Sequence, residues 1–182
     1  MKKLFFASLI LFLAACTEEG PTITEPASGS FQFNISRHTI NNSATLEATV
    51  EKNVVPAQVF NRNGSQIRSI ELVDLKATIQ NYNNSGSAEE RMTLILQTRI
   101  DDQLTEIGRL EELVLENKSG IVLFEEGNSK SVLSSAQVGS LEAILDNYEP
   151  FSFVLTTQLN KTVDSDFSVV LSLNVNLMVA DD

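Results

Sequence analysis

The chain is poor in the residues that most protein chemistry depends on. Its 182 residues include one cysteine, Cys16, one histidine, His38, and no tryptophan. One thiol cannot close a disulfide within the chain. One histidine beside it falls short of the three or four nitrogen and sulfur ligands of ordinary zinc and copper sites. Any Ser–His–Asp arrangement must use His38, and no G-x-S-x-G elbow accompanies it. No glycine-rich phosphate loop is present: Gly64 and Gly86 read as turn glycines, and no cofactor is implied. Basic residues are also scarce, with 13 Lys+Arg against 24 Asp+Glu. Setting aside Lys2 and Lys3 leaves 11 against 24, a net −13. Such a surface repels phosphate backbones and anionic headgroups, which excludes nucleic acid as a partner. After residue 15 no apolar run approaches 18 residues, so no membrane-spanning helix is expected there.

What is present begins with Met1-Lys2-Lys3 and an apolar run from Leu4 to Ala15, broken only by Ser8. That run is long enough for the core of a secretory signal and too short for a span, which needs ~20 residues. It ends Leu13-Ala14-Ala15-Cys16, which resembles the lipobox of bacterial lipoproteins: an aliphatic residue, two small ones, then the cysteine that takes the lipid. The resemblance implies a signal peptide over residues 1–15, cleavage before Cys16, and a diacylglyceryl group with palmitate-type chains on its sulfur. Each buried methylene contributes ~0.8 kcal/mol, so several chains anchor stably without spanning. Thr17 stands where an aspartate would resemble an inner-membrane retention signal, so the expected address is the outer membrane. Glu18-Glu19 resembles the surface-export signal of some Gram-negative lipoproteins and inclines the reading towards the cell surface. A solvated tether on a periplasm-facing protein is the other reading.

Residues 16–30, the lipidated cysteine followed by TEEGPTITEPASGS, read as a flexible linker, because so few large apolar side chains cannot offset the entropy of ordering. Residues 31–182 then form one domain. Its dominant signal has period two. From Phe167 to Val179 every second residue is apolar, which makes a strand with one buried face. Leu173 is central to that face and Asn174 points away, so a carboxylate is expected to be ruinous at 173 and tolerated at 174. Residues 151–159 alternate likewise, and the two segments suggest a hairpin across Asn160–Asp166. Phe31, Phe33 and Ile35, then Leu46, Ala48 and Val50, then 92–100 add further strands. In 67–80 the parity flips after Leu72, which predicts a bulge near Val73–Asp74. LVLE and IVLF, flanking Asn117–Gly120, suggest another hairpin. Residues 104–113 fit helix or strand. Residues 134–147 read as a helix, with Ser134 and Gln137 set for a capping box and Pro150 beyond. The fold class is mainly β: an antiparallel two-sheet sandwich, immunoglobulin-like in general layout, with one short helix. In layout it resembles small β-sandwich envelope lipoproteins, a likeness that brings no activity.

Candidate sites are few. His38 reads as a surface loop residue. Asp164 and Asp166 offer two carboxylates in a loop, without the spacing of a calcium motif, and Asp101-Asp102 reads as another polar turn. Tyr82 and Tyr148, in loops beside asparagines, are candidate recognition residues or edge packing. The expectation is a membrane-anchored, non-catalytic envelope lipoprotein that binds a protein or glycan, or serves as an accessory or structural module. The alternatives are a periplasmic carrier of an apolar ligand and, further off, an acid-pair hydrolase.

Overall fold

The computed structural model of the chain describes residues 21–83 and 89–181. The signal segment, Cys16, Glu18-Glu19 and Gly86 lie outside them. Eight strands follow one another: β1 (Thr22–Ile35), β2 (Glu47–Val54), β3 (Ile67–Gln80), β4 (Arg91–Ile100), β5 (Gln103–Val114), β6 (Lys118–Glu125), β7 (Phe151–Leu159) and β8 (Phe167–Ala180). Three helices join them, α1 (Arg37–Asn42), α2 (Pro56–Val59) and α3 (Ser135–Asp146), with a single 3-10 turn at Gly64–Gln66.

The strands form two four-stranded antiparallel sheets, ordered β1-β8-β3-β6 (sheet A) and β2-β7-β4-β5 (sheet B). The expected two-sheet sandwich is therefore what forms. Its layout matches the immunoglobulin arrangement in having two face-packed sheets and departs from it in strand order. Between the sheets lies one hydrophobic cluster. All seven alternate residues of β8 from Phe167 to Val179 are buried. Phe31 meets Phe153 edge-on across the core, with ring centroids 5.2 Å apart.

The bulge in β3 is present: its pairing with β8 slips between Leu72 and Asp74, so that Leu72 and Leu75 both point inward. The capping box of α3 is also present. Gln137 N–H donates to Ser134 Oγ (3.3 Å), and Ser134 N–H donates to Gln137 Oε1 (2.9 Å). Val138, Leu141 and Leu145 of α3 are buried, and Leu133, just before it, packs so closely on β5 that a Cβ on Gly108 would stand 2.3 Å from Leu133 Cδ2. The helix lies beside the part of β3 that β6 does not reach. There Asp146 accepts the backbone N–H of Ile70, and Glu142 that of Leu72 (2.9 Å). Ser134→Ala is expected to cost ~1 kcal/mol, read as a lower urea midpoint with unchanged slope.

Several expectations are corrected. Residues 22–30 are not linker: Thr22 to Ser30 pair in register with Ala180 to Ser172 of β8. Backbone pairing holds this half of β1, while Val59 packs against Gly29, where only a small residue fits, so the sequence shows little apolar signal. The two hairpins do not form. β7 and β8 lie in different sheets, as do β5 and β6, because every connection except β4–β5 crosses the sandwich. Among the described residues there are three helices, not one. Residues 104–113 are strand. Leu46, with φ 51°, precedes β2 and does not belong to it. The hairpin that does form turns at Asp101-Asp102, both with positive φ (46° and 64°), as a two-residue primed turn requires.

Candidate functional site

Four connections meet at one end of the sandwich, and hydrogen bonds stitch them together. Arg37 N–H donates to Asp166 Oδ1 (2.8 Å), and Arg37 Nη1 donates to the Asp164 carbonyl (2.8 Å). Asn41 exchanges two bonds with the backbone of Val163 (2.9 and 3.0 Å), and Asn83 N–H donates to Ser165 Oγ (2.9 Å). Asn117 pairs with the backbone of Tyr82 (2.9 and 2.8 Å). The Asp166 carboxylate and the Asp164 carbonyl thus hold the start of α1 in place. Among the described residues no group of three or more His, Cys, Asp or Glu side chains could hold a metal ion.

The other candidates resolve as follows. His38 is exposed on helix α1, not in a loop, and its ring nitrogens lie 3.0 and 3.2 Å from Asn42 Nδ2. Tyr82 is buried (5% exposed), edge-on to Phe167 at 6.0 Å, which makes it a core residue. Tyr148 lies at the opposite end, where Gly64 is close against its ring and its hydroxyl donates to the Arg62 carbonyl (3.0 Å). Burial raises its phenol above the usual tyrosine range, while Arg62 opposes the shift. One group escaped sequence reasoning: Glu90, 4% exposed, with Lys161 Nζ 3.6 Å from its carboxylate. In the sequence Glu89-Glu90 is one more acidic pair.

The most distinctive surface is the outer face of sheet A. Along β1 it presents Ser28, Ser30, Gln32 and Asn34, and along β8 it presents Ser168, Ser172, Asn174 and Asn176. No outward position of β1 from Thr24 to Asn34, or of β8 from Ser168 to Met178, carries a charge, in a chain of net charge −11. Sheet B differs: Glu51 pairs there with Arg99 (3.2 Å), and Glu47 and Arg91 share the face. At the loop end the uncharged face runs into a cleft of about 350 Å³ lined by Asn34, Ser36, Asn81, Asp166 and Ser168. Ser168 Oγ and Gln32 Nε2 both donate to Asn34 Oδ1 (3.0 and 2.8 Å). Where β3 bulges, a second cleft of about 380 Å³ opens beside Ser28, Asp74 and Asn176. Asn174 Nδ2 donates to Asp74 Oδ1 (2.9 Å), and Lys76 bridges Asp74 (3.4 Å) and Glu125 (2.7 Å). Hydrogen bonding to Lys76, then to Asn128, holds the Glu125 carboxyl below the usual glutamate range. A cleft of about 650 Å³ at the opposite end, between the Asp101-Asp102 turn and the end of α3, contains Asp101 and Glu149, both exposed.

The order 1-8-3-6 facing 2-7-4-5 makes the domain an eight-stranded jelly-roll sandwich. No protein-family model matches the chain, and no curated protein matches it. Solved structures that align with it include desmodium yellow mottle tymovirus (TM-score 0.34, 11% identity, 98% of this chain and 95% of that one). Others are the decameric BFDV capsid protein (0.41, 10%, 86% and 99%) and turnip yellow mosaic virus (0.36, 10%, 90% and 96%). At these values nothing about function carries across.

Proposed function

We propose that the chain is an outer-membrane lipoprotein, anchored by acyl chains on Cys16, whose jelly-roll domain is a non-catalytic binding, accessory or structural module of the cell envelope. The observation that carries this reading is the segment Leu13-Ala14-Ala15-Cys16 at the end of the apolar run. β1 starts at Thr22, so only residues 17–21 separate the anchor from the fold, a reach of ~18 Å. Asp181 N–H donates to the Pro21 carbonyl (2.9 Å), which ties that point to the end of β8. Thr22 lies at the end opposite the stitched loops, so an anchor at Cys16 leaves those loops outermost. A protein or glycan partner would meet the uncharged β1–β8 half of sheet A's outer face or the loop end. Glu18-Glu19 favours a domain outside the cell.

The carrier alternative has less support. The facing sides of the two sheets are filled by large side chains such as Phe33, Phe153 and Phe167. A hydrolase would need one carboxylic acid kept protonated by burial, and Asp101 and Glu149 are both exposed. The reading is tested by the intact mass of the protein purified from its own membranes. The mature chain should begin at Cys16 and carry the added mass of acyl groups. A chain that still begins at Met1, or begins at Cys16 with a free thiol, would overturn it.

A further inference from the structure

The four outer edges of the two sheets are not protected alike. β2 carries Glu47, Glu51 and Lys52. β5 carries Glu106, Arg109, Glu111 and Glu112, and its pairing with β4 is broken by two register shifts. β6 also has two register shifts, and beyond its end α3 covers the exposed backbone of β3 through Glu142 and Asp146. Charge, bulges and a covering helix are the usual means of stopping one sheet from adding to another. β1 has almost none of them. It runs 14 residues in unbroken register with β8, and its only charge is Glu25, at the end where Arg62 pairs with it. Pro26 blocks pairing near that end. From Ala27 to Ile35 the free edge is uncharged and without a bulge, and among the described residues no loop or helix hydrogen-bonds to it.

We propose that this edge pairs with the same edge of a second copy, antiparallel across a two-fold axis, joining the two A sheets into one. Two copies of a chain of net charge −11 repel over most of their surfaces, and the uncharged strip is where they can approach. Pairing over Ala27–Ile35 centres the axis on Phe31. Ser30 then faces the second copy's Gln32, Ser28 its Asn34, and Gly29 its Phe33. The outward pairs are all hydroxyl and amide groups that can hydrogen-bond; of the inward pairs, Gly29 sets the smallest residue against the Phe33 ring, Ala27 faces Ile35, and the two Phe31 residues meet at the axis. Such an interface is self-complementary, as two-fold association requires. The axis is normal to sheet A, so the two β1 strands run in opposite directions and the two Thr22 residues lie towards opposite ends of the joined sheet. The proposal itself rests on the fold and would stand without the anchor.

The test uses the full mature protein, solubilised from its host fraction. Sedimentation at micromolar concentration should give the mass of a dimer, and Ser30→Lys with Gln32→Lys should weaken it ~10-fold or more while leaving unchanged the melting temperature measured at dilution, where both proteins are monomeric. Register is checked with cysteines. Facing residues of an antiparallel pair lie ~4.5–5.5 Å apart at Cα, within disulfide reach. A mixture of Ser30→Cys and Gln32→Cys chains, oxidised with diamide, should cross-link, and each variant alone should cross-link far less. A monomer at these concentrations, a dimer indifferent to the two lysines, or cross-linking no stronger in the mixture would each overturn the proposal.

Discussion

Leu173→Asp should leave the domain unfolded. Leu173 is 0% exposed at the middle of β8, a central strand of sheet A, with β1 on one side and β3 on the other. An unpaired carboxylate there costs several kcal/mol, beyond the ~1.5–3 kcal/mol lost with the leucine. Domains of this size commonly have ~5–15 kcal/mol in all. Ser172→Asp is the comparison, because Ser172 faces outward beside Lys76 and should change stability by ~0.5 kcal/mol or less. The sequence alone suggested Asn174 for that purpose, and the structure corrects the choice. Asn174 donates to Asp74 Oδ1, so an aspartate there sets two carboxylates against each other in place of a hydrogen bond. Asn174→Asp should therefore cost ~1 kcal/mol or more. Urea unfolding followed by circular dichroism ranks the three. Equal midpoints for Leu173→Asp and Ser172→Asp would show that β8 does not bury its odd-numbered face.

What could be read beforehand was local. Alternation in β8, the flipped parity in β3 and the pairing of Ser134 with Gln137 each depend on a few neighbouring side chains, and each has the expected form. What could not be read was which strands pair. The β7 and β8 segments look like a hairpin because a polar loop joins two alternating strands, yet the same pattern serves when the chain crosses from one sheet to the other. Only the Asp101-Asp102 turn is short enough to force neighbours together, and the sequence offers it only as a polar turn. The first half of β1 was hidden for a different reason. Its inward positions include Ala27 and Gly29, small because α2 packs there, so its order comes from a ladder that leaves no apolar trace. The candidate site divides the same way. The shortage of histidine, thiol and cation was plain from composition. The uncharged half of sheet A's outer face was not, since it exists only when β1 and β8 lie side by side.

The second large effect concerns attachment, and it bears most directly on the account as a whole. Cys16 is the only thiol in the chain and the only residue proposed to meet the membrane. Removing its sulfur removes every acyl chain and, with them, the ~0.8 kcal/mol that each buried methylene supplies. The fold should not notice, because the described strands begin at Thr22. The measurement is fractionation of cells making either the native chain or Cys16→Ala, the latter exported by an ordinary secretory signal cleaved before residue 16. The native chain should sediment with the outer membrane, resist high salt and carbonate, and come off only in detergent. The Cys16→Ala chain should be wholly soluble, with an unchanged urea midpoint. A Cys16→Ala chain that still sediments with the membrane, or a native chain that washes off in salt, would contradict the lipid anchor.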